Sequence, residues 1–147
     1  GLVNDTDDDQ WFEQPFEGAN HIAWHVGHIV VAQYGLTLAA VRGRHPEDAE
    51  WMPKGYAKMF GRESTPQTEL SGHPTPDELR AALDTVHDHV ISGLQSVEPD
   101  VFDDKPEWEV PMCATKLEAV HFCALHEMVH AGQIGMLRRM LGRAYLR

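Results

Sequence analysis

The stretch Thr115 to Gly142, TKLEAVHFCALHEMVHAGQIGMLRRMLG, decides the fold. Thr115 and Glu118 form the reciprocal box in which a hydroxyl and a carboxylate satisfy orphan amide donors at a helix start. Ala119, Phe122, Cys123, Ile134, Leu137 and Leu141 fall on one helical stripe, and Leu117, Val120, Ala124 and Met128 on a second. Apolar residues on two sides predict a well-buried helix. Arg138 and Arg139 sit in the last turns, where cations suit the helix dipole, and Gly142 supplies a left-handed exit. His126 and His130 lie four apart in the first stripe, so both imidazoles leave one face a turn apart. That is metal-ligand spacing on a rigid rod.

Working outward, NHIAWHVGHIVVAQYGLTLAAVRG predicts another long helix from about Asn20, as N-cap, to Arg42, with Gly43 as the stop. At about 100° per residue, His21, His25 and His28 fall within about 60° of one another. Trp24, Val31, Ala32, Leu36 and Ala39 flank that face, so the histidines lie in an apolar stripe and not a solvated one. A lone histidine so placed is more often a satisfied core group than a ligand. Three of them, facing a helix with its own spaced pair, reverse that weighting. His28 can supply a third ligand, and His25 and His21 share its face as alternatives.

The remaining segments complete an all-α reading. Asn4 to Gln10 is acidic and reads as a loose lead-in, followed by Trp11, Phe12 and Phe16 pinned on the core. Gly43 to Pro74 is a long crossover with single turns expected at Pro46 to Trp51 and Tyr56 to Phe60. Its Trp51, Met52, Tyr56, Met59 and Phe60 are expected to cap one end of the bundle, the alternative being that they wall a pocket, and His45 and His73 to face solvent. Thr75-Pro76-Asp77-Glu78 opens a helix that Pro99 ends, with Leu79, Ala82, Leu83, Val86, Val90, Leu94 and Val97 as its core stripe. His87 and His89, two apart, point to different faces and read as surface residues. Cys113 reads as a buried small hydrophobe. The expectation is one domain over residues 1–147, with a lead-in at 1–17 and helices at about 20–42, 75–97 and 115–141.

Composition narrows the function. A formal charge of −11 argues against nucleic-acid phosphate or an anionic membrane as partner. No apolar run reaches the roughly 18 residues of a membrane span. Two cysteines, Cys113 and Cys123, do not make a secreted disulfide framework, and a reduced, cytoplasmic compartment fits best. Three neutral imidazoles without a fourth protein ligand leave open positions on a divalent ion, as catalytic sites do. Such a position polarises water or binds a thiol as thiolate. The letters HEMVH also match the HExxH pattern, in which Glu127 would act as general base. That pattern alone is weak. Its extended form wants a histidine where Met136 stands, and Glu127 lies about 100° around the helix from His126. A surface or supporting role suits Glu127 better than base duty.

NHIAWHVGHIV, MPKGYAKMFG and HEMVHAGQIGMLRRMLG together resemble the DinB/YfiT-like superfamily of metal-binding four-helix bundles, from about Pro15 onward. The resemblance implies a metal triad of His28, His126 and His130, close helix approach at Gly132, and a ligand-orienting role for Gln133. It implies a metal-dependent enzyme that activates a low-molecular-weight thiol against a small electrophilic substrate, as an S-transferase or isomerase. A hydrolase using water at the same site and a non-catalytic, metal-stabilised bundle are the alternatives. Zinc or nickel is the expected metal, with manganese and iron also occurring in the family. The family adds a long helix ahead of the segment Asp7 to Gly18, for which this sequence has no counterpart. The bundle is therefore expected to expose an apolar stripe, covered either by a second copy in a homodimer or by a helix that this sequence does not include.

Overall fold

The two threonine-led boxes form as the sequence predicts. Thr75 accepts from the Glu78 amide and opens a helix over Pro76–Gln95, and Thr115 accepts from the Glu118 amide and opens one over Lys116–Met140. The computed structural model describes residues 2–66 and 71–144, among which there is no strand. Five α-helices follow in order: α1 (Ile22–Leu36), α2 (Leu38–Arg42), α3 (Tyr56–Phe60), α4 (Pro76–Gln95) and α5 (Lys116–Met140). Single 3-10 turns occur at Asp8–Phe12, Pro46–Glu50 and Pro99–Asp103.

The first helix differs from expectation at both ends. His21, not Asn20, is its N-cap: the ring Nδ1 accepts from the Trp24 amide at 3.0 Å. Thr37, at φ −112 and ψ −94, separates α1 from α2, and its hydroxyl donates to the Gln33 carbonyl one turn back. Such back-bonding competes with the helix ladder and bends it. Between these ends, Ile22 to Val30 is buried without interruption, because α3, α4 and α5 all pack on α1. Leu79, Ala82, Val86 and Val90 of α4 bury at helical spacing against it. Gly27 is what lets α3 approach: a Cβ there would stand 2.4 Å from the Phe60 ring. A Cβ at Gly132 meets nothing within 4 Å, so that glycine serves no close approach among the described residues.

The acidic lead-in is not loose. Arg138, buried in α5, donates to the carbonyls of Leu2 and Asp5, the Thr6 hydroxyl and the Asp5 carboxylate. Trp11 is fully buried beneath the Arg80 guanidinium, 4.6 Å from the ring centroid. Phe12 packs on the core, whereas Phe16 is exposed. Tyr56 and Phe60 belong to the core, with Trp51, Met52 and Met59 packed against it, so the crossover covers the bundle as expected. His73 is not a solvent group, since its ring meets Phe12 and Phe60 edge-on. Cys113 is only half-buried.

One side of α5 corrects the expectation of burial. Leu117, Leu125, Met128 and Val129 are exposed, Met128 at 70 %. The reason is architectural: α4 and α5 both dock on α1 but barely meet each other. A groove of about 530 Å³ separates them, floored by Ile29 and Gln33 of α1. No described helix is long and apolar enough to cross a membrane.

Candidate metal centre

Three ring nitrogens converge where α1 meets α5. The Nε2 atom of His126 lies 3.3 Å from Nε2 of His28 and 3.2 Å from Nε2 of His130. Among the described residues, these three side chains offer ligand atoms that all lie within 4.8 Å of one another. Tetrahedral metal–nitrogen bonds of about 2.0–2.1 Å place neighbouring ligand nitrogens about 3.3–3.4 Å apart. The two spacings at His126 match that edge, and the third pair, His28 and His130, lies within 4.8 Å.

Protonation supports the same reading. Nδ1 of His28 stands 2.6 Å from the carbonyl oxygen of Phe60, at the C-terminal end of α3. A carbonyl only accepts, so His28 carries its hydrogen on Nδ1 and turns the Nε2 lone pair inward. Nε2 of His126 then faces two ring nitrogens with at most one hydrogen to give. One hydrogen bond leaves the third nitrogen unsatisfied; a cation at the centre serves all three. The residues present fit a divalent ion.

Burial keeps these rings in the neutral, ligating form. It is the largest cause of the downward shift at His130, to about 3, with the charges of His126, His28 and His25 adding to it. The Gln133 side chain, beside His130 on the exposed surface of α5, opposes that shift. Burial likewise lowers His28, against the opposing Phe60 carbonyl, and lowers His126, with the charge of His28 adding. Trp24 stacks on His28 at a centroid distance of 4.7 Å, and its Nε1 donates to the Ser64 hydroxyl at 2.9 Å. The indole thus walls one side of the centre and is itself tied to the crossover.

Each candidate has a definite place. His28, His126 and His130 come together. His21 is committed to capping α1. His25 stands behind His130, the two Nδ1 atoms 2.9 Å apart. Glu127 lines the groove between α4 and α5 and accepts from the Cys123 thiol at 3.5 Å. No carboxylate or thiol joins the three-histidine cluster among the described residues. The sequence reading missed the Phe60 carbonyl, because every residue carries one and only the packing at Gly27 selects it.

A family model described as the DinB superfamily matches residues 1–134. The chain belongs to the DinB superfamily. No curated protein and no solved structure matches it. The match takes in all three histidines of the cluster and ends within α5. In this DinB chain the third histidine of the cluster comes from a separate rod, so an ion held there would bridge α1 and α5 and not merely decorate one helix.

Proposed function

We propose that this DinB-superfamily protein is a metal-dependent enzyme whose three-histidine centre activates a low-molecular-weight thiol for transfer to a small electrophile. The convergence of three Nε2 atoms, with no fourth protein ligand among the described residues, carries this reading. A divalent ion held by three imidazoles keeps a position for an outside ligand, and zinc or nickel suits an all-imidazole set. When bound, the ion supplies the Lewis acidity that favours thiolate over thiol near neutral pH. The chain's own cysteines are poor substitutes for that nucleophile: burial first, then Glu127, pushes the Cys123 thiol up, and Cys113 is shifted the same way. Trp24 screens the His28 side, while half-buried His126 gives the outside ligand its approach. The interaction of the Gln133 side chain with His130 supports a role for Gln133 in orienting that ligand. A hydrolytic variant uses water in place of the thiol at the same position.

A second reading is a non-catalytic bundle in which the ion ties α1 to α5. The observation favouring it is that the groove between α4 and α5, beside the cluster, is lined by Ile29, Gln33 and Glu127 and not by His28, His126 or His130. Metal analysis of untagged protein, followed by a screen of thiol and electrophile pairs, tests both. Wild type should carry about one divalent ion per chain and turn over a pair from the screen, whereas His126→Ala should lose both metal and turnover. Full metal content in that variant would refute the ligand set. Metal without turnover anywhere in the screen would leave the structural reading standing.

A further inference from the structure

His25 shares a face with the clustered histidines yet contributes no atom to the cluster, and its ring is buried at 4 % exposure, edge-on to Trp24. Its Nδ1 lies 2.9 Å from Nδ1 of His130, which is itself buried. Between two neutral imidazoles at that distance, one nitrogen donates and the other accepts. Two arrangements satisfy the pair, and they have opposite consequences. If His25 donates, His130 keeps its hydrogen on Nε2, pointing at Nε2 of His126 3.2 Å away, and is useless as a ligand. If His130 donates, its Nε2 lone pair faces the centre, and His25 holds its own hydrogen on Nε2.

We propose that His25 is a positioning residue whose Nδ1 accepts from Nδ1–H of His130 and so holds that ligand in its metal-competent tautomer. The inference rests on the metal reading above but assigns a different role to a different residue. His28 and His130 are then oriented by the same rule through different acceptors, a backbone carbonyl for one and an imidazole for the other. Partners of this kind commonly change metal affinity by about 10- to 100-fold when removed. An imidazole acceptor brings no negative charge, so the bound centre keeps the full charge of its ion, unlike one backed by a carboxylate.

The test uses the full chain, stripped with chelator and titrated with cobalt(II), read by its visible absorption. His25→Leu removes the acceptor, and His25→Asn sets a side-chain carbonyl near the place of Nδ1. The expected pattern is affinity about 10-fold or more weaker in His25→Leu and returned to within a few-fold of wild type in His25→Asn. Wild-type affinity in His25→Leu overturns the proposal while leaving the ligand set intact. Equal weakening in both variants reduces His25 to packing and also overturns it. Absence of cobalt binding in wild type overturns the metal reading itself. Should the variants fail to fold, long-range proton–nitrogen correlation on zinc-loaded wild type still decides: His130 must carry its hydrogen on Nδ1, and a hydrogen on Nδ1 of His25 refutes the assignment.

Discussion

Gly27 sets how near the crossover comes to the three-histidine cluster. With no Cβ, it lets the Phe60 ring lie on α1, and the same approach brings the Phe60 carbonyl to Nδ1 of His28. Alanine at this position raises helix propensity by about 1 kcal/mol. Overpacking against the ring costs about 1–3 kcal/mol, so the net loss of stability is modest. The displaced carbonyl matters more, because it orients a ligand. Gly27→Ala is expected to weaken cobalt or zinc affinity by about 10-fold while the thermal midpoint moves only a few degrees. Unchanged affinity would show that His28 does not depend on Phe60. The sequence places His28 on the right face but is silent on this partnership, since it depends on what a helix of five residues presents from 32 positions away.

The helices themselves follow from local chemistry where a side chain states its own role. Thr75 and Thr115 cap as read, and Gly43 and Gly142 take left-handed exits at φ 81 and 87. The errors sit where a neighbour decides. Arg138 suits a helix C-terminus by its charge, yet its guanidinium is spent on the lead-in, which the acidic composition alone presents as loose. The contact between α1 and α5 is the element-level feature with a solution signature. Three buried histidines and half-buried His126 meet there, each with its pKa held below 6.5, down to about 4 for His25 and about 3 for His130. Below pH 6.5 the unfolded chain therefore binds more protons than the folded one, and stability falls with acid. Chelated protein should keep a flat thermal midpoint above pH 6.5 and lose stability steadily from there towards pH 4. Following it from pH 7 to 5 separates the histidines from most carboxylates, whose titration lies lower. A midpoint constant over that interval would mean the rings are not packed as described. Restoring zinc at pH 7 to about 100 times its Kd should add about 2.7 kcal/mol, or roughly 5–10 °C.

Across the molecule, α1 is the shared wall and α4 and α5 are its separate buttresses. This arrangement turns the edge of α5 that carries His126 and His130 toward His28 of α1 and leaves the other edge apolar and exposed among the described residues. The sequence shows two apolar sides on α5, but which side meets α1 follows only from the position of the third helix. Leu125, Met128 and Val129 form the outer ridge, with Met128 also bordering the groove whose rim carries Asp84 and Glu127. A contiguous apolar ridge of this kind favours association over exposure to water, and a second copy of the chain is the partner always present at equal concentration. Light scattering is expected to give twice the 16.5 kDa chain mass at micromolar concentration. Met128→Glu puts a charge into that ridge and should shift the species to monomer. His28, His126 and His130 lie outside the ridge, so metal content should be retained in the variant. A wild-type chain that stays monomeric at those concentrations would remove the second copy as the cover for this face. Loss of metal together with dissociation would instead tie the centre to the interface.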